Sequence, residues 1–426
     1  MRVRGFVVVA AASLLVLGTA CELLVAHDLT AEPQESVDAA QDAQPEAGME
    51  TSEGGPRCPY STEPDLTMKG DDGNPGTGNT AVLVLRSVSI GTPSGVDLDG
   101  VCTCQFNGAL SSCDLPENAP TGGACDADGG IDDRAADLFA QFPGGLSQRF
   151  TDQANHFTGC GQQAILIGIS DYNGLANDTK VKINSIASAG ILDIPAQGTD
   201  GGVDPGKCNE RDGGTTHFLP RWDGTDRWAV RPGGKVGGVP STVPFNGFVR
   251  DYELIADSRA VGQLKDVNVV INLFGTGDVR LNSPVILGRI RPSFADGGLV
   301  PLDDAGAPTA PPSAFVLEGS ISGRANADEL LAAAALARYD TGGTVLCTVP
   351  IYDVVKPQIC GYRDISFDPS MDFAKGHTCD GLSLTFQFTA FPARIGNEHP
   401  IEDAGANPCR PDQLSCGDAA ADAGGP

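Results

Sequence analysis

Aromatic residues are scarce in this chain. They make up 6% of its 426 residues, and only two are Trp, whereas Gly (55) and Pro (30) are abundant. Scarcity of large apolar groups with so many turn formers argues against long packed helices and for short strands joined by loops. Basic residues are few as well: 28 against 55 acids, a net charge of −27 and a pI near 4.3. Such a chain repels phosphate backbones, which sets nucleic acid aside as a partner. The motifs of common catalytic sites are missing. None of the five His falls in HExxH spacing, and 319–323 (GSISG) places Ile321 where a nucleophile elbow needs Ser. The near P-loop at 201–208 (GGVDPGKC) ends in Cys208 instead of the hydroxyl residue that holds Mg²⁺. The reading therefore leans to a non-enzymatic protein without deciding it.

What is present begins with an export signal. Arg2 and Arg4 precede an apolar run of 12 residues at 6–17, too short to span a bilayer but right for a signal h-region. Gly18, Thr19 and Ala20 then lead to Cys21. The spacing resembles a bacterial lipoprotein signal, with Gly18 at the usual Leu position and Leu17 one residue further back; cleavage after Ala20 without lipid is the alternative. Parity favours the lipid. Removing Cys21 from the 13 cysteines leaves 12, an even set for an oxidising compartment. The expected bridge formers are Cys58, Cys102, Cys104, Cys113, Cys125, Cys160, Cys208, Cys347, Cys360, Cys379, Cys409 and Cys416, with Cys409 pairing with Cys416 in the tail. Cys102-x-Cys104 with Cys113 and Cys125 also has the density of a zinc cluster, although export favours disulfides.

Composition divides the chain into a signal (1–20), a lipid-anchored acidic tether (21–72), a folded domain (73–396) and a low-complexity tail (397–426). Strand patterns fall at 81–90, 164–170, 179–187, 246–256, 267–274, 284–291, 314–322, 344–351 and 382–391. The last alternates Leu382, Leu384, Phe386 and Phe388 with Ser383, Thr385, Gln387 and Thr389, the period of a half-buried strand. Two short helices are expected, at 131–142 and at 326–339, the second capped by Asn326. The fold class is mainly β: an antiparallel, jelly-roll-like β-sandwich with long Gly/Asp/Pro-rich loops at 197–240 and 296–313.

The lipobox-like GTAC, the acidic Ala/Asp/Gly tether and the phrases GVDLDGVCTC (95–104), CDADGGIDDRAADL (125–138), ISDYNGLANDTKVKI (169–183) and FTAFPARIG (388–396) together resemble the uncharacterised predicted lipoproteins of myxobacteria. Glu22 after Cys21 points, by analogy, to the outer membrane, facing periplasm or cell surface, and the resemblance implies a cell-envelope location. It implies no activity.

Three Asp-x-Asp/Asn-Gly motifs are the best chemical signals: 97–100, 126–129 and 171–174. Closely spaced carboxylates on a Gly-kinked loop suit Ca²⁺, which takes six to eight oxygens. Asp126, Asp128, Asp132 and Asp133 are the candidate ligands, although Asp137 stands where a calcium loop carries its bidentate Glu. Turn formation and helix capping are the competing roles. Trp222 and Trp228, flanking Asp223 and Asp226, are candidate glycan contacts in an alternative reading as a carbohydrate-binding or carbohydrate-active β-sandwich. Otherwise the expected partners are the membrane, through the lipid, and a protein or glycan ligand.

Overall fold

A computed structural model describes residues 80–90, 94–104, 111–120, 125–192, 219–231, 235–236, 239–240, 243–259, 267–271, 278–293, 299, 314–339, 343–399 and 407–417. These belong to the compact unit 52–426. The expected signal, the tether, Cys21, Cys58, Cys208 and the 201–208 segment lie outside the described residues.

The chain is mainly β, as its alternating segments require. In order it forms β1 (Thr80–Ser89), α1 (Arg134–Gln141), α2 (Leu146–Gly159), β2 (Ala164–Ser170), β3 (Asp178–Gly190), β4 (Arg227–Val230), β5 (Lys235–Val236), β6 (Val239–Pro240), β7 (Phe245–Arg250) and β8 (Glu253–Asp257). Then follow β9 (Asn268–Ile271), β10 (Val279–Ser293), β11 (Ala314–Asn326), α3 (Ala327–Leu336), α4 (Tyr352–Gly361), β12 (Gly381–Pro392) and β13 (Arg394–Glu398).

Hydrogen bonding orders the strands β3-β2-β1-β12-β11-β10-β8-β7, and β7 pairs again with β3. Every pairing in this circuit is antiparallel, so eight strands close into a ring without a free edge. Closure depends on the length of β3. Its first half, Asp178–Ile183, pairs with β7, and its far end, Ser188–Gly190, pairs with β4. β4 in turn carries the parallel strand β13. β10 divides its edge similarly between β9 and β8, with the register breaking around Ser283, whose φ is 53°. The antiparallel, mainly β reading holds; the layers that a sandwich leaves separate are joined here by hydrogen bonds.

One face of all eight ring strands contributes to a single apolar cluster, including Leu83, Ile167, Val181, Phe245, Leu254, Ile286, Ile321 and Phe386. A face shared by every strand of a ring is its interior. Helices α1 to α4 join the same cluster through Leu138, Phe150, Leu331 and Val355, among others. The other face of β1 to β3 is apolar too, and Trp228 and Val230 of β4 cover Val84, Leu166 and Ile186. Burial on both faces explains why 82–85 of β1 and 164–169 of β2 read as continuous apolar runs.

Four differences from the sequence expectation have physical reasons. The single strand expected at 246–256 is a hairpin, turned by Asp251 and Tyr252 at φ of 50° and 65°, with no glycine to announce it. The strand expected at 344–351 is a 3₁₀ turn at Leu346–Thr348 that leads into α4. Among the described residues four α-helices form instead of two: α2 and α4 also pack on the core, through Phe150 and Val355 among others. The domain also extends past 396, because Cys409 bonds Cys347 and Cys416 bonds Cys360. That replaces the expected Cys409–Cys416 bridge. Each tail cysteine meets a partner at the α3–α4 region, where Tyr352 and Lys356 also donate to the carbonyls of Gln413 and Asp412.

Candidate metal centre

The outer wall of β10 to β12 is where the polar half of the strand alternation points. Ser322 and Arg324 of β11 stand opposite Thr385 and Ser383 of β12, and all four are buried. Two chain segments cover them: residues 94–104 with 125–133, and residues 362–380. Val96 and Leu98 pack with Val285 of β10 and Ile365, supplying the apolar part of this contact. Gly95 makes the approach feasible. Its φ is +119°, and a Cβ there would collide with Thr385 Oγ1 and lie 2.8 Å from Ser322 Oγ.

Arg324 holds the layer together. It is 1% exposed, and its guanidinium donates to both carboxylate oxygens of Asp372 at 2.7 Å, to the Ser366 carbonyl at 2.9 Å and to the Leu98 carbonyl at 2.8 Å. One buried cation thus ties β11 to both covering segments. Asp133 and Asp364 anchor the layer to β12. Asp133 accepts the backbone N–H groups of Ser94 and Thr385, and Asp364 accepts the N–H and hydroxyl of Ser383.

Above these anchors the first two Asp motifs meet. Carboxylate oxygens of Asp97, Asp99 and Asp132 lie within 4.8 Å of one another. Asp132 accepts the N–H groups of Leu98 at 2.6 Å and Asp99 at 3.3 Å, which fixes one motif on the other. Asp126 lies beside Asp132 and accepts the Thr103 N–H at 2.5 Å. Asp97 and Asp99 also close their own loop, accepting the N–H groups of Gly100 and Val101.

So much carboxylate in so little water resists ionisation. Burial, with Asp99 and Asp126 nearby, drives Asp132 well above the usual carboxylate range. Burial pushes Asp126 up to about 8, Asp133 to about 7 and Asp364 to about 6. Arg324 pairs with Asp372, Arg259 with Asp257 and Arg134 with Asp137, and the Arg134 charge also favours ionised Asp364.

The donor set favours a hard cation, since every atom is a carboxylate oxygen. Oxygens on opposite sides of a Ca²⁺, each about 2.3–2.6 Å from it, lie up to about 5 Å apart, which accommodates the observed spread. The carboxylates that converge are not the four expected as ligands. Asp132 belongs, and Asp126 adjoins it, but Asp128 is exposed at the turn closed by the Ala127–Ile131 bridge. Asp133 is spent on backbone N–H groups rather than on a cation or on capping α1. Asp97 and Asp99 replace them. The repeated Asp-x-Asp-Gly signal marked both motifs, but nothing local shows that segments 26 residues or more apart converge. The third motif is a turn: Asn173 accepts the Leu175 N–H, and Asp171 pairs with Lys182.

The cysteine cluster holds no zinc in this arrangement. Cys104 bonds Cys125, Cys113 bonds Cys379, and Cys102 is also disulfide-bonded. The Trp pair is not an open platform. Trp228 is 0% exposed, and the Arg86 guanidinium lies over the half-buried Trp222 ring, 5.3 Å from its centroid. No protein-family model, no curated protein and no solved structure matches this chain.

Proposed function

We propose that this chain is an exported cell-envelope lipoprotein, anchored through Cys21, that displays a rigid β-domain in a non-enzymatic binding or structural role. One observation carries this reading: every cysteine among the described residues is disulfide-bonded. Bridges on this scale are characteristic of an oxidising compartment. They leave Cys21, Cys58 and Cys208 outside the described residues, and a lipid on Cys21 makes the remaining set even. Glu22 after Cys21 supports, by analogy with bacterial lipoproteins, an outer-membrane destination. The test is the intact mass of protein purified from membranes, with and without reductant. An acylated N-terminus at Cys21 and a gain of two hydrogens for each of six bridges are expected. A soluble, unacylated chain overturns the anchor.

A second reading concerns the loop layer. The convergence of Asp97, Asp99 and Asp132, with Asp126 beside them, supports a structural Ca²⁺ there. A bound divalent cation would supply the positive charge that lets these carboxylates stay ionised at neutral pH. A ligand present at a hundred times its Kd raises stability by about 2.7 kcal/mol. Melting at pH 7.5 in Ca²⁺ and in chelator tests it: a higher Tm in Ca²⁺ is expected, and equal values overturn the site.

A further inference from the structure

The bridge between Cys104 and Cys125 sits differently from its fellows. Both of its cysteines are exposed. By contrast Cys113 and Cys379 are 7% and 0% exposed, Cys347 and Cys409 are 6% and 8%, and Cys360 is 5%. Thiol–disulfide exchange requires a thiolate to reach a bridge sulfur, so exposure decides which bridge reacts while the fold is intact. The position matters as much as the access. Cys104 ends the segment carrying Asp97 and Asp99, and Cys125 immediately precedes Asp126. Beside the bridge the two segments are joined by Thr103 N–H to Asp126 Oδ2 at 2.5 Å and by Asp126 N–H to the Thr103 carbonyl at 3.4 Å. Cys104 is held at φ of 66°, a left-handed conformation that an L-residue with a side chain keeps only under constraint.

We propose that Cys104–Cys125 is a thiol-exchange site, opened by an external dithiol while the Cys113–Cys379, Cys347–Cys409 and Cys360–Cys416 bridges stay closed, and that it latches the loop layer over the buried carboxylates. A thiolate of the dithiol attacks one bridge sulfur and displaces the other, which takes up a proton. The second thiol of the reagent then attacks the mixed disulfide, freeing the remaining cysteine as a thiol and closing the reagent's own disulfide. Two electrons and two protons pass from the dithiol to the protein. With the latch open, the Thr103–Asp126 contact loses its covalent brace, and water reaches the pocket around Asp126 and Asp132. The proposal concerns the latch and does not depend on the calcium reading.

The experiment is a dithiothreitol titration of the native, fully oxidised protein, with alkylation of freed thiols and peptide mapping by mass spectrometry. Cys104 and Cys125 are expected to label at a dithiol concentration at least about tenfold below that required for the Cys113–Cys379, Cys347–Cys409 and Cys360–Cys416 bridges. Hydrogen exchange on the partially reduced protein, and on the Cys104→Ser/Cys125→Ser variant, is expected to quicken at 96–104 and 126–133 while amides of β11 and β12 keep their protection. Labelling of a buried bridge first, or of all together, overturns the exchange site. Unchanged exchange at 96–104 and 126–133 in the partially reduced wild type overturns the latch, whether or not the double variant folds.

Discussion

The two faces of β11 and β12 are built on opposite principles. Inward, Ile321, Leu384, Phe386 and Phe388 join the apolar cluster of the ring, where fit matters and direction does not. Outward, Arg324, Ser383 and Thr385 meet a loop layer through directed hydrogen bonds to Asp133, Asp364, Asp372 and backbone carbonyls, and the Thr385 hydroxyl donates to Ser322 beside it. The inner face is stabilised by removal from water and is indifferent to pH. The outer face holds ionisable groups in a place where ionisation is costly, so its stability depends on protons and cations. The same strands thus carry a passive core on one side and a condition-sensitive layer on the other.

The largest expected effects compare one residue from each face. Phe386→Ala leaves a cavity in the ring and is expected to cost about 3–5 kcal/mol at every pH, measured by denaturant unfolding. Arg324→Ala should cost a similar amount, about 3–5 kcal/mol, because it strands Asp372 as a buried charge. The two losses separate in a second step. Arg324→Met with Asp372→Leu is expected to recover most of the Arg324→Ala penalty, and a double variant as unstable as the single one would show that the Ser366 and Leu98 carbonyls matter more than the ion pair.

Smaller, and specific to the outer layer, is the pH dependence. A carboxyl raised in the folded state stabilises the fold when protonated. Its contribution is complete below the unfolded value near 4 and is lost as pH rises through the folded one. Asp364 at about 6, Asp133 at about 7 and Asp126 at about 8 therefore predict that metal-free stability falls between about pH 4 and 8. Added Ca²⁺ should flatten that fall, and a metal-free profile that rises across this window would contradict the environment assigned to the three acids. Asp132→Asn keeps an oxygen for the Leu98 and Asp99 N–H groups but cannot ionise. It should shallow the metal-free slope and abolish any Ca²⁺-dependent rise in Tm. Least of all, Asp128→Ala should leave both the Tm and its Ca²⁺ response unchanged, since Asp128 is exposed outside the carboxylate group.

The sequence by itself determined most of the local structure. The alternation at 382–391 places Leu382, Leu384 and Phe386 inside and Ser383 and Thr385 outside, as found in β12. Asn326 caps α3, accepting the N–H groups of Asp328 and Glu329. The run 164–170 is β2, residue for residue. Each of these is decided by neighbours one to four positions apart, because side-chain period and capping chemistry act over that range. Only the tertiary structure decided the rest. Closure of the ring needs β3 to meet β7, and the Cys113–Cys379 bridge spans 266 positions. The carboxylate group needs Asp97 and Asp99 to lie against Asp132 on a wall made by β10 to β12. In every such case partners distant in the chain are selected by the burial of whole surfaces against one another. No local pattern encodes that pairing, so the same Asp-x-Asp-Gly motif is part of a charged centre at Asp97 while its relative at Asp171 is a turn.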